Sequence, residues 1–75
     1  MRKRSVTIDG HRTSISLEDP FWAELSAIAR ARGLPLNALV AEIDRARVAQ
    51  GVGNLSSALR LHVLQELKKG SISRD

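Results

Sequence analysis

Cysteine is absent from the 75 residues, and the only aromatic side chains are Phe21 and Trp22. Without cysteine the chain has no thiolate nucleophile, no cysteine-type zinc site and no disulfide framework. The same absence says little about redox surroundings, and a reducing cytoplasm is the expected location. Long hydrophobic runs are also missing. The most apolar stretch, residues 55–67, is interrupted by Ser56, Ser57, Arg60, His62, Gln65 and Glu66, far short of the roughly 20 apolar residues that span a bilayer. Behind the basic start at residues 1–4, residues 5–10 supply no apolar stretch of the kind a secretory leader needs. A soluble, unprocessed chain is expected. A core this thin, with neither disulfide nor metal to hold it, needs good helix packing or a partner subunit, so a homodimer is expected.

Reactive chemistry is equally scarce. His11 and His62 lie far apart and form no i, i+4 ligand pair, so no metal site is expected. The sequence around His62, with Leu59, Leu61, Val63 and Leu64, places it at a packed interface instead. Gly51-Val52-Gly53 is too short for a phosphate-cradling loop and follows a helix pattern, so it reads as an inter-helix hinge. Ser56 and Ser57 read as first-turn helix residues. No catalytic constellation emerges, and neither an enzyme nor a cofactor is expected.

Charge is present, and its placement is informative. The formal net charge is +4. Residues 1–12 carry Arg2, Lys3, Arg4 and Arg12 against Asp9 alone, whereas residues 18–50 are close to balanced. A polyanion would therefore meet the N-terminal segment first.

The hydrophobic period changes along the chain. Val6, Ile8, Thr13, Ile15 and Leu17 alternate with polar residues, the period-2 signature of half-buried strand. Asp9-Gly10 between them is a strong type I′ turn signal. Folding there pairs Ile8 with His11, Val6 with Thr13 and Arg4 with Ile15. One face then holds Val6, Ile8, Thr13 and Ile15, and the other Lys3, Ser5, Thr7, Arg12, Ser14 and Ser16. Glu18-Asp19-Pro20 marks a helix start, and Phe21, Trp22, Leu25, Ile28 and Ala29 fill a first helix over residues 20–32, closed by Gly33. Leu36, Leu39, Val40 and Ile43 predict a second helix to about residue 49, broken by Gly51 and Gly53. Asn54 caps a third, whose Leu55, Ala58, Leu59, Leu61, Val63, Leu64 and Leu67 cover more than one stripe and whose end is expected at Lys68, Lys69 and Gly70. A helix that apolar is expected to be buried on two sides, the second against another subunit. No internal repeat is visible. Residues 1–75 are read as one domain with a basic arm at 1–5 and a frayed tail at 70–75.

The order of a polar-faced strand, a helix, the turn Arg32-Gly33-Leu34 and a second helix resembles the ribbon-helix-helix superfamily, the fold of the Arc and Met repressors. The segments that carry the likeness are Thr13-Ser14-Ile15-Ser16-Leu17, Pro20-Phe21-Trp22-Ala23-Glu24-Leu25 and Leu36-Asn37-Ala38-Leu39-Val40-Ala41-Glu42-Ile43. The segments before and after them, out to about residues 3 and 67, resemble a short bacterial subgroup with an extra N-terminal strand and an extra C-terminal helix. The resemblance implies a mainly α fold with a short β-ribbon, and an obligate homodimer in which each subunit gives one strand to a ribbon that enters the DNA major groove. Arg12, Ser14 and Ser16 would then contact bases, with Thr13, Ile15 and Leu17 turned to the helices. Phosphates would meet Arg2, Lys3, Arg4 and the start of the second helix at Leu36 and Asn37, where Pro35 stands in place of the family's hydroxyl cap. Dimer and core positions would be Ile15, Leu17, Trp22, Leu39, Ile43, Leu59 and Val63. The implied function is transcriptional regulation by binding double-stranded DNA. The alternative is a dimer of this fold that binds a small anion or a protein partner.

Two arrangements of the N-terminus remain. If the Asp9-Gly10 hairpin forms, a dimer pairing its ribbons has four strands and is about 20 Å wide against a groove of about 12 Å. If it does not form, residues 1–10 are a basic arm that grips phosphates.

Overall fold

The computed structural model describes residues 1–51 and 53–73, the last four as backbone alone. A hairpin, β1 (Arg2–Ile8) and β2 (His11–Leu17), is followed by α1 (Asp19–Ala31), α2 (Leu36–Gln50) and α3 (Leu55–Ser73). The hairpin forms in the expected register, with Ile8 opposite His11, Val6 opposite Thr13 and Arg4 opposite Ile15. Its turn is the reason. Asp9 at φ 50° and Gly10 at φ 82° adopt the paired positive values of a type I′ turn, whose twist matches that of the strands it joins. Residues 2–5 are thus the first half of β1 and not a separate arm, because the turn gives their backbone groups a partner strand.

Helices α1 and α2 begin and end close to where their sequence signals lie, and α3 begins at its own. The Glu18 carbonyl accepts the Phe21 and Trp22 N–H groups to open α1. Its far end is a Schellman closure, with Leu34 N–H on the Ala29 carbonyl at 2.8 Å and Gly33 N–H on that of Arg30 at 3.1 Å. Gly33 sits at φ 69°, which a side chain would strain. The Asn54 side chain accepts the Ser57 N–H at 3.2 Å and caps α3. That helix runs past its expected end at Gly70, since one glycine costs only about 1 kcal/mol in a helix and no proline follows. Residues 74–75 of the expected tail, and Val52 of the expected hinge, lie outside the described residues.

The inner face of the hairpin rests on the helices. Val6, Ile8, Ile15 and Leu17 join Trp22, Leu25 and Ala29 of α1, Leu39, Val40, Ala41 and Ile43 of α2, and Leu59 and Val63 of α3 in one core. Burying a leucine is worth roughly 1.5–3 kcal/mol, and Leu17, Leu25, Leu39 and Leu59 are fully enclosed by this single chain. Helix α2 lies against β1 and α3 against β2. Thr13, expected among the helix-facing residues, shares that face but is exposed. Near the turn α2 covers β1, where Arg45 reaches Asp9, while α3 meets β2 only toward its end at Ser16. Among the described residues none covers the outer side of α3, and Leu61, Leu64 and Leu67 stay about half exposed.

Candidate nucleic-acid interface

Strand alternation divides the basic N-terminus between two faces. Lys3, Ser5 and Thr7 of β1 and Arg12, Ser14 and Ser16 of β2 all point away from the helices, and all are exposed. They meet as three cross-strand pairs, Lys3 with Ser16, Ser5 with Ser14 and Thr7 with Arg12. A two-residue turn makes Ile8 and His11 a hydrogen-bonded pair, so these three are the alternate, closer-spaced pairs. The face carries two cations, four hydroxyls and no carboxylate.

Arg2 and Arg4, expected beside Lys3 as phosphate contacts, point to the other side. The Arg4 guanidinium stands 5.4 Å from the centroid of the Trp22 ring. Arg2 pairs with Asp19 at 3.1 Å, and its carbonyl accepts the Trp22 indole N–H at 3.0 Å. One aromatic side chain therefore clamps the open end of β1 onto α1. At the turn end Arg45 of α2 pairs with Asp9 at 3.2 Å and offsets the one acid near the outer face.

Elsewhere Glu18, Glu42, Asp44 and Glu66 are taken up by other cations. Arg32 grips Glu42 through both oxygens, at 2.5 and 3.0 Å, and Asp44 holds Arg47. Arg60 of α3 binds Glu18 at 2.9 Å and covers the Phe21 ring, tying α3 to the β2–α1 corner. The Glu18 carboxyl lies below the ordinary carboxylate range, first because of its own backbone N–H and then because of Arg60. Arg32 lowers the Glu42 carboxyl in the same way, chiefly by hydrogen bonding. Among the described residues no acid pairs with Lys3 or Arg12, so the outer face keeps its positive charge.

At the start of α2, Pro35 occupies the cap position and no side chain caps the helix. Its carbonyl accepts the Ala38 and Leu39 N–H groups. Among the described residues nothing accepts the Leu36 and Asn37 N–H groups; Leu36 is half-buried and Asn37 exposed. The expected dimer and core positions Ile15, Leu17, Trp22, Leu39, Ile43, Leu59 and Val63 are all buried within the chain. His62 of α3 is half-buried beside α2, and among the described residues its enclosed Nε2 has no hydrogen-bond partner.

Ser5 and Thr7 share the outer face with the residues expected to contact bases. The signal for them lay in the turn, because Asp9-Gly10 fixes the register that brings them opposite Ser14 and Arg12. The pairing of Arg60 with Glu18, 42 residues apart, had no local signal at all. No helix among the described residues is long and apolar enough to cross a membrane. No curated protein and no solved structure matches the chain. The family model for the ribbon-helix-helix domain matches residues 1–67, and with its strand-first order and the closed turn between α1 and α2 the chain belongs to that family.

Proposed function

We propose that this is a dimeric, cytoplasmic DNA-binding protein, a transcriptional regulator that lays the outer face of its hairpin in the major groove. Members of the family are typically DNA-binding regulators and usually dimerise. The observation that carries the reading is the isolation of Lys3 and Arg12. Five of the acids are held by arginines or by Lys69 away from this face, and Asp9 at its turn end is held by Arg45. The two outward cations keep their charge beside four hydroxyls. Arg12 suits a bidentate contact to the O6 and N7 of guanine, and Ser14 and Ser16 are short hydrogen-bonders that accept several base edges. Arg2 and Arg4, exposed on the opposite side, and the open N–H groups of Leu36 and Asn37 are assigned to phosphates, which fix position without reading sequence.

Footprinting the full chain on selected duplexes at several salt concentrations tests this. The expected result is a protected stretch whose affinity falls steeply with salt, as phosphate-bound counterions are released. Arg12→Ala should relax the preference at one base pair. An unmutated chain with no duplex affinity at low salt would overturn the reading in favour of a dimer that binds a small anion or a protein.

A further inference from the structure

The two strands of the hairpin are chemical echoes of one another. Their burial patterns are identical, four exposed positions followed by buried, exposed, buried. Advancing nine positions from β1 to β2 places Lys3 on Arg12, Ser5 on Ser14 and Thr7 on Ser16, and puts the buried Val6 and Ile8 on Ile15 and Leu17. The pairing register makes this a spatial symmetry. Because Ser5 faces Ser14, a two-fold axis through that pair exchanges the strands and superposes cation on cation and hydroxyl on hydroxyl.

We propose that one chain supplies a whole recognition ribbon, with β1 occupying the place where the family's ribbon takes a strand from a second subunit. The proposal rests on the DNA-binding reading above. It makes Lys3, Ser5 and Thr7 base-facing residues equal in rank to Arg12, Ser14 and Ser16.

Three observations support it. Ser16 belongs to one of the closer-spaced pairs, so its carbonyl points away from β1, along the edge that a second β2 would need. That carbonyl already accepts the Ser56 hydroxyl at 3.2 Å, and the first turn of α3 stands on the edge. The single hairpin is also the right width, because a two-stranded ribbon of about 10 Å enters a groove of about 12 Å and a four-stranded sheet of about 20 Å does not. Along each strand the outward residues repeat every ~6.8 Å, two base-pair steps of ~3.4 Å.

The test uses the full-length chain in two assays. The first is DNA selection with Lys3→Ala, Thr7→Val and Arg12→Ala. Each should lose discrimination at its own base position, about 5- to 150-fold where a bidentate contact is removed, with the Lys3 and Arg12 positions at opposite ends of one groove segment. The second is oxidation of Ser14→Cys, the only cysteine the variant would hold. Strands paired between copies about Ser14 would form an interchain disulfide, whereas one ribbon per chain leaves the thiol free. An interchain disulfide, or a Lys3→Ala loss that is blind to sequence, overturns the proposal while leaving DNA binding intact. Failure of the unmutated chain to select any sequence removes the DNA-binding reading itself, and this inference with it.

Discussion

The hairpin and α3 both pack one face on the core, yet they treat the opposite face differently. The outer face of the hairpin presents only lysine, arginine, serine and threonine. The outer side of α3 leaves Leu61, Leu64 and Leu67 at 51%, 50% and 51% exposure. The difference arises in the periods. A two-residue period assigns every position to one of two faces, so strict alternation sends each apolar side chain of the hairpin inward. A helix spreads its positions around a full circle, and α3 carries leucine or valine over more of that circle than one chain can cover. Consecutive residues show the consequence, with Val63 1% and Leu64 50% exposed.

The largest expected effect lies on the buried stripe of α3. Leu59→Ala should lower unfolding free energy by about 2–5 kcal/mol in a denaturant titration, because the surrounding core cannot fully collapse on the space left. Leu64→Gln on the outer side should shift the dilute-limit stability by only about 0.5 kcal/mol or less. Equal losses from the two would erase the distinction between the faces.

The hairpin should be most sensitive at its turn. Gly10→Ala meets open space, but it forces a side chain into φ 82° and should cost about 1–2 kcal/mol in the same titration. A neutral result would show that the hairpin does not need its type I′ turn. Trp22→Phe keeps much of the apolar bulk but removes the hydrogen bond to the Arg2 carbonyl. It should cost about 0.5–1.5 kcal/mol and speed amide exchange at the open end of β1 before it does so in α3. Uniform exchange throughout the chain would argue against a local clamp.

The smallest effect is electrostatic and belongs to the corner where the two regions meet. Glu18 at that corner, and Glu42 on α2 beside the end of α1, have lowered pKa values in the folded chain. Their contribution is therefore present above the unfolded carboxylate value, about 4.3, and is lost as pH falls through the folded values below it. Stability followed by urea unfolding should thus decline with acid in that window, and Glu18→Gln should flatten the decline. An unchanged slope would mean that the Arg60 tie is worth nothing in solution, as many exposed pairs are.

Much of the fold was legible because its signals are local. Asp9-Gly10 selects a turn type, Gly33 closes α1, Asn54 caps α3, and each acts within a few residues. The cation-bearing face was legible for the same reason, since alternation from a fixed turn assigns Lys3 and Arg12 to one side without knowledge of the rest. A run of charge looks continuous in sequence, but successive strand residues point in opposite directions, and this separates Arg2 and Arg4 from Lys3. The end of α3 was misplaced because a single glycine is a weak stop when no partner signal follows it.

By itself, the sequence determined the order of elements, the register of the hairpin and the side of each strand that faces water, all consequences of backbone stereochemistry and periodicity. Only the tertiary structure decided which cations stay free. Pairing Arg60 with Glu18 and Arg45 with Asp9 brings together residues 42 and 36 apart, and pairing Arg32 with Glu42 needs α2 to fold back on the end of α1. It also decided that Ser56 closes the outer edge of β2, a contact between residues 40 apart that no local propensity encodes. Charges and edges interact through space, so their partners are fixed only once packing has brought the elements together.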